Sequence, residues 1–119
     1  NISSVAARAN VPNSASYNMS KAALNSLTAS LSREVAAAGI TVNALAPGLV
    51  LTDRIRNSRI PALATASGRS EEEVLAGMTS RADSGKLTTE EELAGTVLFL
   101  CSNPAANITG EVIEMSGGF

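Results

Sequence analysis

Residues 14–48, SASYNMSKAALNSLTASLSREVAAAGITVNALAPG, hold two kinds of regular structure separated by a single glycine. Residues 14–38 contain neither Pro nor Gly, and Tyr17, Leu24, Leu27, Leu31 and Val35 recur at spacings of three, four and seven. That period predicts a helix with one apolar stripe. Pro12 and Asn13 break the chain ahead of it, Ser14 or Ser16 offers a cap, and Gly39 permits a left-handed end. At ~1.5 Å per residue such a helix is about 36 Å long. The run ITVNALAPG that follows, residues 40–48, is β-branched and apolar without alternation and closes on Pro-Gly. It reads as a strand buried on both faces. A helix feeding directly into a buried strand implies a parallel crossover, and hence an α/β fold.

The same order returns further along the chain. Thr88 or Thr89 caps a run over residues 90–102 that carries Leu93, Val97, Phe99 and Leu100, with Glu90, Glu91 and Glu92 suited to its N-terminus. EVIEM at 111–115 supplies another strand, and NIS at 1–3 a short one at the opposite end. Residues 52–87 differ: charges are mixed, Pro61, Gly68 and Gly85 interrupt them, and one short helical candidate begins at Ser70 with Glu71, Glu72 and Glu73. In α/β sheets the segments after strand C-termini build ligand sites, so 52–87 is expected to be an insertion over one end of the sheet, serving as a substrate lid. A surface loop with a small helix is the competing reading.

A chain of 119 residues is the size of one domain, and 45% apolar content supports a core without any membrane-length apolar run. Nine Lys+Arg against 11 Asp+Glu give a net charge of −2, with the basic residues scattered. That distribution disfavours a nucleic-acid partner. A lone Cys101 and no His remove disulfide frameworks and the usual zinc sites, so no metal is expected. The opening residues lack the order of a signal peptide, and a cytoplasmic setting is expected.

YNMSK places Tyr17 and Lys21 four apart, one turn apart on one helix face. Phenol and ammonium can therefore share a site, where a positive charge favours the phenolate and eases proton transfer. An ordinary helical tyrosine beside a solvated lysine has the same spacing, so the pair decides nothing alone. Ser4 ends the NIS segment thirteen residues before Tyr17, where a hydroxyl could donate to a substrate carbonyl, although turn serines are common. Pro47-Gly48 closes the buried strand as a turn, and a glycine there also lets a flat ligand approach the backbone.

Taken together, NISS, a serine thirteen residues before the tyrosine of YxxxK, VNALAPG with Thr52 four beyond its glycine, and ITGEVIEMSGG resemble the short-chain dehydrogenase/reductase family. The likeness runs over nearly the whole chain and is to the single-domain form that includes 3-oxoacyl-carrier-protein reductases. It implies the C-terminal part of a doubly wound parallel-sheet, Rossmann-like NAD(P)-binding domain. In that frame Ser4 orients the carbonyl, Tyr17 is general acid in reduction and base in oxidation, and Lys21 binds the nicotinamide ribose and tunes the tyrosine. Pro47, Gly48, Val50 and Thr52 would hold the nicotinamide end of NAD or NADP, Thr52 near the carboxamide, while Asn43 would be structural. The resemblance also implies a small carbonyl or alcohol substrate, and a homodimer or homotetramer built on helix 14–38.

The chain departs from the family at several points. Its nine glycines nowhere form TGxxxGxG or GxGxxG, and neither the NNAG segment nor the helix asparagine of the catalytic group is present. The chain therefore reads as a C-terminal half, beginning at the fifth strand of a seven-stranded sheet, with an unpaired edge that makes it marginal or dependent on assembly. RADSGKLTTEEELA stands where relatives read Pro-Leu-Gly-Arg, so Asp83 and Ser84 replace an apolar pair and Lys86 an arginine. Two other functions compete: an inert fragment or pseudo-enzyme acting through its long helix, and a dehydratase or epimerase using the same Tyr-Lys pair. VNALAPG and the short ending fit the reductases better.

Overall fold

Gly39 turns the chain as its position predicts. Its φ of +73° is left-handed, and its N–H donates to the Ala36 carbonyl at 2.9 Å, so the long helix ends and the strand begins within a few residues. The computed structural model describes residues 1–118. In chain order it contains α1 (Ala6–Ala9), α2 (Ala15–Val35) with a 3₁₀ turn over Ala36–Ala38, β1 (Ala44–Pro47), and a π-helical turn (Ile55–Arg59) running into α3 (Ile60–Ser67). Then come α4 (Glu71–Thr79), α5 (Glu90–Leu100), a 3₁₀ turn over Asn103–Ala105, and β2 (Val112–Met115).

β1 and β2 pair in parallel, Ala44 opposite Val112 through Pro47 opposite Met115. Residues 1–5 run parallel to β1 on its other side: Leu45 N–H donates to the Asn1 carbonyl, and Ser3 and Val5 N–H donate to the Leu45 and Pro47 carbonyls. β1 is thus central, and all four of its residues are buried, as expected for an apolar run without alternation.

Leu45 lines a cavity of about 260 Å³ together with Asn1, Ile2 and the α5 residues Val97 and Leu100, so it faces α5. Alternation along the strand then turns Ala44 and Ala46 to the opposite face, toward α1 and α2. That face corrects one expectation. The part of α2 that is fully buried is not its leucine stripe but Thr28 and Ser32, while Leu27 is 53% exposed. Small side chains on both sides let helix and strand approach closely, and the hydroxyl of Thr28 is satisfied twice, donating to the Leu24 carbonyl and accepting from Asn1 Nδ2, each at 2.8 Å. In α5, likewise, Leu93 and Leu100 are half-buried whereas Val97 and Phe99 stay exposed.

Residues 52–87 hold two helices where the sequence suggested one. Pro61, read as an interruption, is the second residue of α3, directly behind the π-helical turn Ile55–Arg59, and the helical run continues through it. α4 starts at Ser70 as expected, with a reciprocal capping box to Glu73. Ile60, Ala64, Val74 and Met78 form a core of their own, packed by Leu49, Leu51, Ile55, Leu75 and Leu87. The base of this unit is closed by a parallel bridge, with Leu51 N–H donating to the Thr88 carbonyl and Thr88 N–H to that of Leu49. At Asp83 and Ser84, where the family resemblance leads one to expect an apolar pair, Ala82 is buried and Ser84 N–H donates to the Gly117 carbonyl at 2.8 Å, so backbone bonding joins the unit to the residues after β2.

Thr89, rather than Thr88, caps α5, its hydroxyl accepting from Glu92 N–H at 3.1 Å while Glu92 accepts from Thr89 N–H at 2.9 Å. Thr89→Ala is expected to cost about 1 kcal/mol in urea unfolding. The Thr89 N–H, and then Lys86, hold the Glu92 carboxyl below its ordinary value of 4.5. A lowered folded-state value means a contribution that is complete above 4.5 and is lost as pH falls through it. Unfolding midpoints should therefore drop on acidification below about pH 4.5, and Glu92→Gln should flatten that limb.

Candidate active site

The N-terminal segment and α2 are held together by three hydrogen bonds whose donors and acceptors lie far apart in sequence. Asn1 Nδ2 donates to Thr28 Oγ1 at 2.8 Å, Ser3 Oγ to the Lys21 carbonyl at 3.3 Å, and Lys21 Nζ to the Ile2 carbonyl at 2.9 Å. Lys21 is therefore fixed against the strand segment that leads into Ser4. One turn toward the N-terminus, Tyr17 is 48% exposed, and the Lys21 ammonium stands 5.7 Å from its ring centroid, within the range of a cation–π contact. The turn ahead of α2 is shaped by Asn13 at φ +59° and by Asn18 Nδ2 donating to the Val11 carbonyl at 2.9 Å. The Ser14 hydroxyl makes no cap.

Ser4 is half-buried where residues 1–5 pass into α1, and its Oγ accepts the Ala6 N–H at 3.2 Å. That bond uses a lone pair and leaves the hydroxyl proton available. Pro47 is buried at the end of β1, and Gly48 N–H donates to the Met115 carbonyl at 2.9 Å. A side chain at Gly48 would meet Ser116 Cα and Cβ at 3.1 Å, so the close approach this glycine permits is that of the β2 end. Val50 forms the bridge with Thr88, and Thr52 opens the following helical run, its hydroxyl accepting from Ile55 N–H at 3.3 Å and its carbonyl from Arg56 N–H. Asn43 is structural, as expected: Nδ2 donates to the Ile108 carbonyl at 2.7 Å and Oδ1 accepts from Glu111 N–H at 3.1 Å.

Sequence reasoning missed two ion pairs, Lys86 with Glu92 at 3.1 Å and a longer-range one. Arg8, at the end of α1, binds Glu114 of β2 with Nε and Nη2 on the two carboxylate oxygens, both at 2.8 Å. The guanidinium holds the Glu114 carboxyl below its ordinary value, and the carboxylate raises that of Arg8. The residues are 106 apart in the chain, and although Glu114 falls within ITGEVIEMSGG, nothing in that stretch names Arg8 as its partner. Among the described residues no group of three or more His, Cys, Asp or Glu is placed to hold a metal ion. No helix among them is long and apolar enough to cross a membrane.

The structure thus sets Tyr17 and Lys21 one turn apart on α2, with Lys21 tied to the segment that leads into Ser4, beside a parallel α/β sheet. The family model described as enoyl-(acyl carrier protein) reductase matches residues 1–119. The chain belongs to the short-chain dehydrogenase/reductase family. It is 40% identical over 104 residues to the 3-oxoacyl-(acyl-carrier-protein) reductase of Escherichia coli, covering 87% of this chain and 38% of that protein. A short-chain dehydrogenase family protein from Francisella tularensis superposes with a TM-score of 0.90 at 31% identity, over 98% of this chain and 48% of its own. The L-sorbose reductase of Gluconobacter frateurii, solved with NADPH and L-sorbose, gives 0.91 at 30% identity, covering 98% and 44%. The chain thus spans less than half the length of these relatives.

Gly48→Ala should force the β1 and β2 ends apart and cost about 1–3 kcal/mol, measurable by denaturant unfolding.

Proposed function

We propose that this chain carries the catalytic side chains of an NAD(P)-dependent oxidoreductase that interconverts a small-molecule carbonyl and an alcohol. The observation that supports it most directly is the half-exposed Tyr17 phenol with Lys21 beside its ring, the lysine itself fixed on the Ile2 carbonyl at 2.9 Å. In reduction Tyr17 gives its phenolic proton to the substrate oxygen, and in oxidation it takes that proton back. Ser4, whose oxygen already accepts the Ala6 N–H, donates its hydroxyl proton to the same substrate oxygen and so fixes the carbonyl. Bound NAD or NADP supplies or accepts the hydride.

The residues present suit the nicotinamide end of such a cofactor. An ammonium has three N–H donors, and Lys21 spends one on Ile2, which leaves donors for ribose hydroxyls. The Thr52 oxygen accepts from Ile55 N–H and keeps its own proton, which suits a carboxamide oxygen. Pro47, Gly48 and Val50 would hold the nicotinamide largely through backbone groups. No GxGxxG turn occurs in the sequence, so the pyrophosphate has no cradle of that kind here. The named activities of the 3-oxoacyl reductase and L-sorbose reductase relatives favour reduction over dehydration or epimerisation.

Tyr17→Phe in the holoenzyme should lower kcat by about 10²–10⁴-fold while leaving NADPH affinity, read by fluorescence titration, within about two-fold. Turnover retained at the parent rate would sink the assignment.

The exposed Met19 and Leu27 on α2, at 67% and 53%, support a homodimer or homotetramer joined through that helix. Leu27→Glu should shift sedimentation toward the monomer, and a protein already monomeric at every concentration would refute the interface.

A further inference from the structure

Arg8 lies outside every motif of the family resemblance, Glu114 falls within ITGEVIEMSGG, and their ion pair joins two elements that the site depends on. Residues 1–5, β1 and β2 lie side by side in that order, so a side chain reaching from α1 to β2 crosses the buried central strand. It does so on one face. Glu114 stands opposite Ala46 in the register, and Ala46 is directed toward α1 and α2. The guanidinium meets the carboxylate with two bonds of 2.8 Å, Nε and Nη2 each on one oxygen. A two-pronged arrangement fixes direction as well as distance, unlike most single surface contacts.

The other end of α1 is Ser4. Four consecutive backbone bonds link them: Ala7 N–H to the Ser4 carbonyl, Arg8 and Ala9 N–H to that of Val5, and Asn10 N–H to that of Ala6. Ala6 N–H adds the bond to Ser4 Oγ. A helix of four residues has little stability of its own, since so short a segment gains few hydrogen bonds for the dihedrals it fixes. Its position is set by its surroundings: its packing along α2, Val5 N–H on the Pro47 carbonyl at one end, and Arg8 on Glu114 at the other.

We infer that Arg8 and Glu114 are positioning residues that act through α1 to hold the Ser4 hydroxyl in its catalytic orientation. The inference rests on the oxidoreductase reading of the site. Neither residue touches the reacting atoms in this scheme. Together they anchor the far end of the turn that the serine begins.

The test uses Arg8→Gln, Glu114→Gln and the reversed pair Arg8→Glu with Glu114→Arg, each in the holoenzyme with NADPH and ethyl acetoacetate. Amide hydrogen exchange is followed at residues 7–10 and, for comparison, through α2. Each single variant should speed exchange in α1 by at least about ten-fold with α2 unchanged, and lower kcat by about 10–100-fold with KM for NADPH unchanged. The reversed pair should recover most of both losses. The clamp is overturned if α1 exchange is unmoved, if exchange rises equally in α2, or if α1 loosens while kcat holds. A Tyr17→Phe control separates the two claims: retained turnover there refutes the oxidoreductase reading alone, while the exchange data still judge the clamp. Loss of folding in one single variant would be seen as exchange throughout the chain, and the reversed pair then decides.

Discussion

Every part of the candidate site hangs on the backbone of β1. Leu45 and Pro47 exchange hydrogen bonds with residues 1–5 on one side, and Ala44 and Gly48 donate to Glu111 and Met115 on the other. A buried strand with both edges occupied has no freedom to slide, because a shift of one residue would exchange the faces of Leu45 and its alanine neighbours. Ser4, Pro47, Gly48 and Ser116 are therefore gathered at one end of three parallel chain segments. The proposed chemistry sits where the strands stop.

α2 is then fixed against this frame by polar rather than apolar contacts. Lys21 serves twice, holding the Ile2 carbonyl with its ammonium and receiving Ser3 with its own carbonyl. Thr28 closes the seam with Asn1. Directional bonds set the rotation of a helix about its axis more tightly than a greasy contact does, and rotation is what decides where Tyr17 points. The leucines that dominate the helix sequence are left half-buried or exposed on its other sides. The unit at 52–87 has its own core, and it meets the rest of the fold at the bridge between Val50 and Thr88 and at the Ser84 N–H bond to the Gly117 carbonyl.

Much of this was legible from residues in order. The period of α2, the glycine that ends it, the unbroken apolar run of β1, the capping boxes at Ser70 and Thr89 and the four-residue spacing of Tyr17 and Lys21 are all local signals. Local signals are readable because the atoms that interact are neighbours in the chain. α3 escaped notice because Pro61 looks like a breaker when its place in a helical turn is unknown. The stripe on α2 was assigned to leucines because hydrophobicity says which residues prefer burial, not which face a close-packed alanine strand can accept.

What the sequence by itself determined was the larger elements, α2, β1, α4, α5 and β2, and the chemical types at the candidate site. The elements follow from periodicity within a few turns of chain, whereas the family came from the resemblance of four ordered motifs along it. Only the tertiary structure decided which helix face is buried, that Asn43 clasps residues 108–111, and that Arg8 meets Glu114 across the sheet. Such contacts join residues 65 to 106 positions apart. Their geometry is set by strand order and register, which no single stretch of sequence encodes.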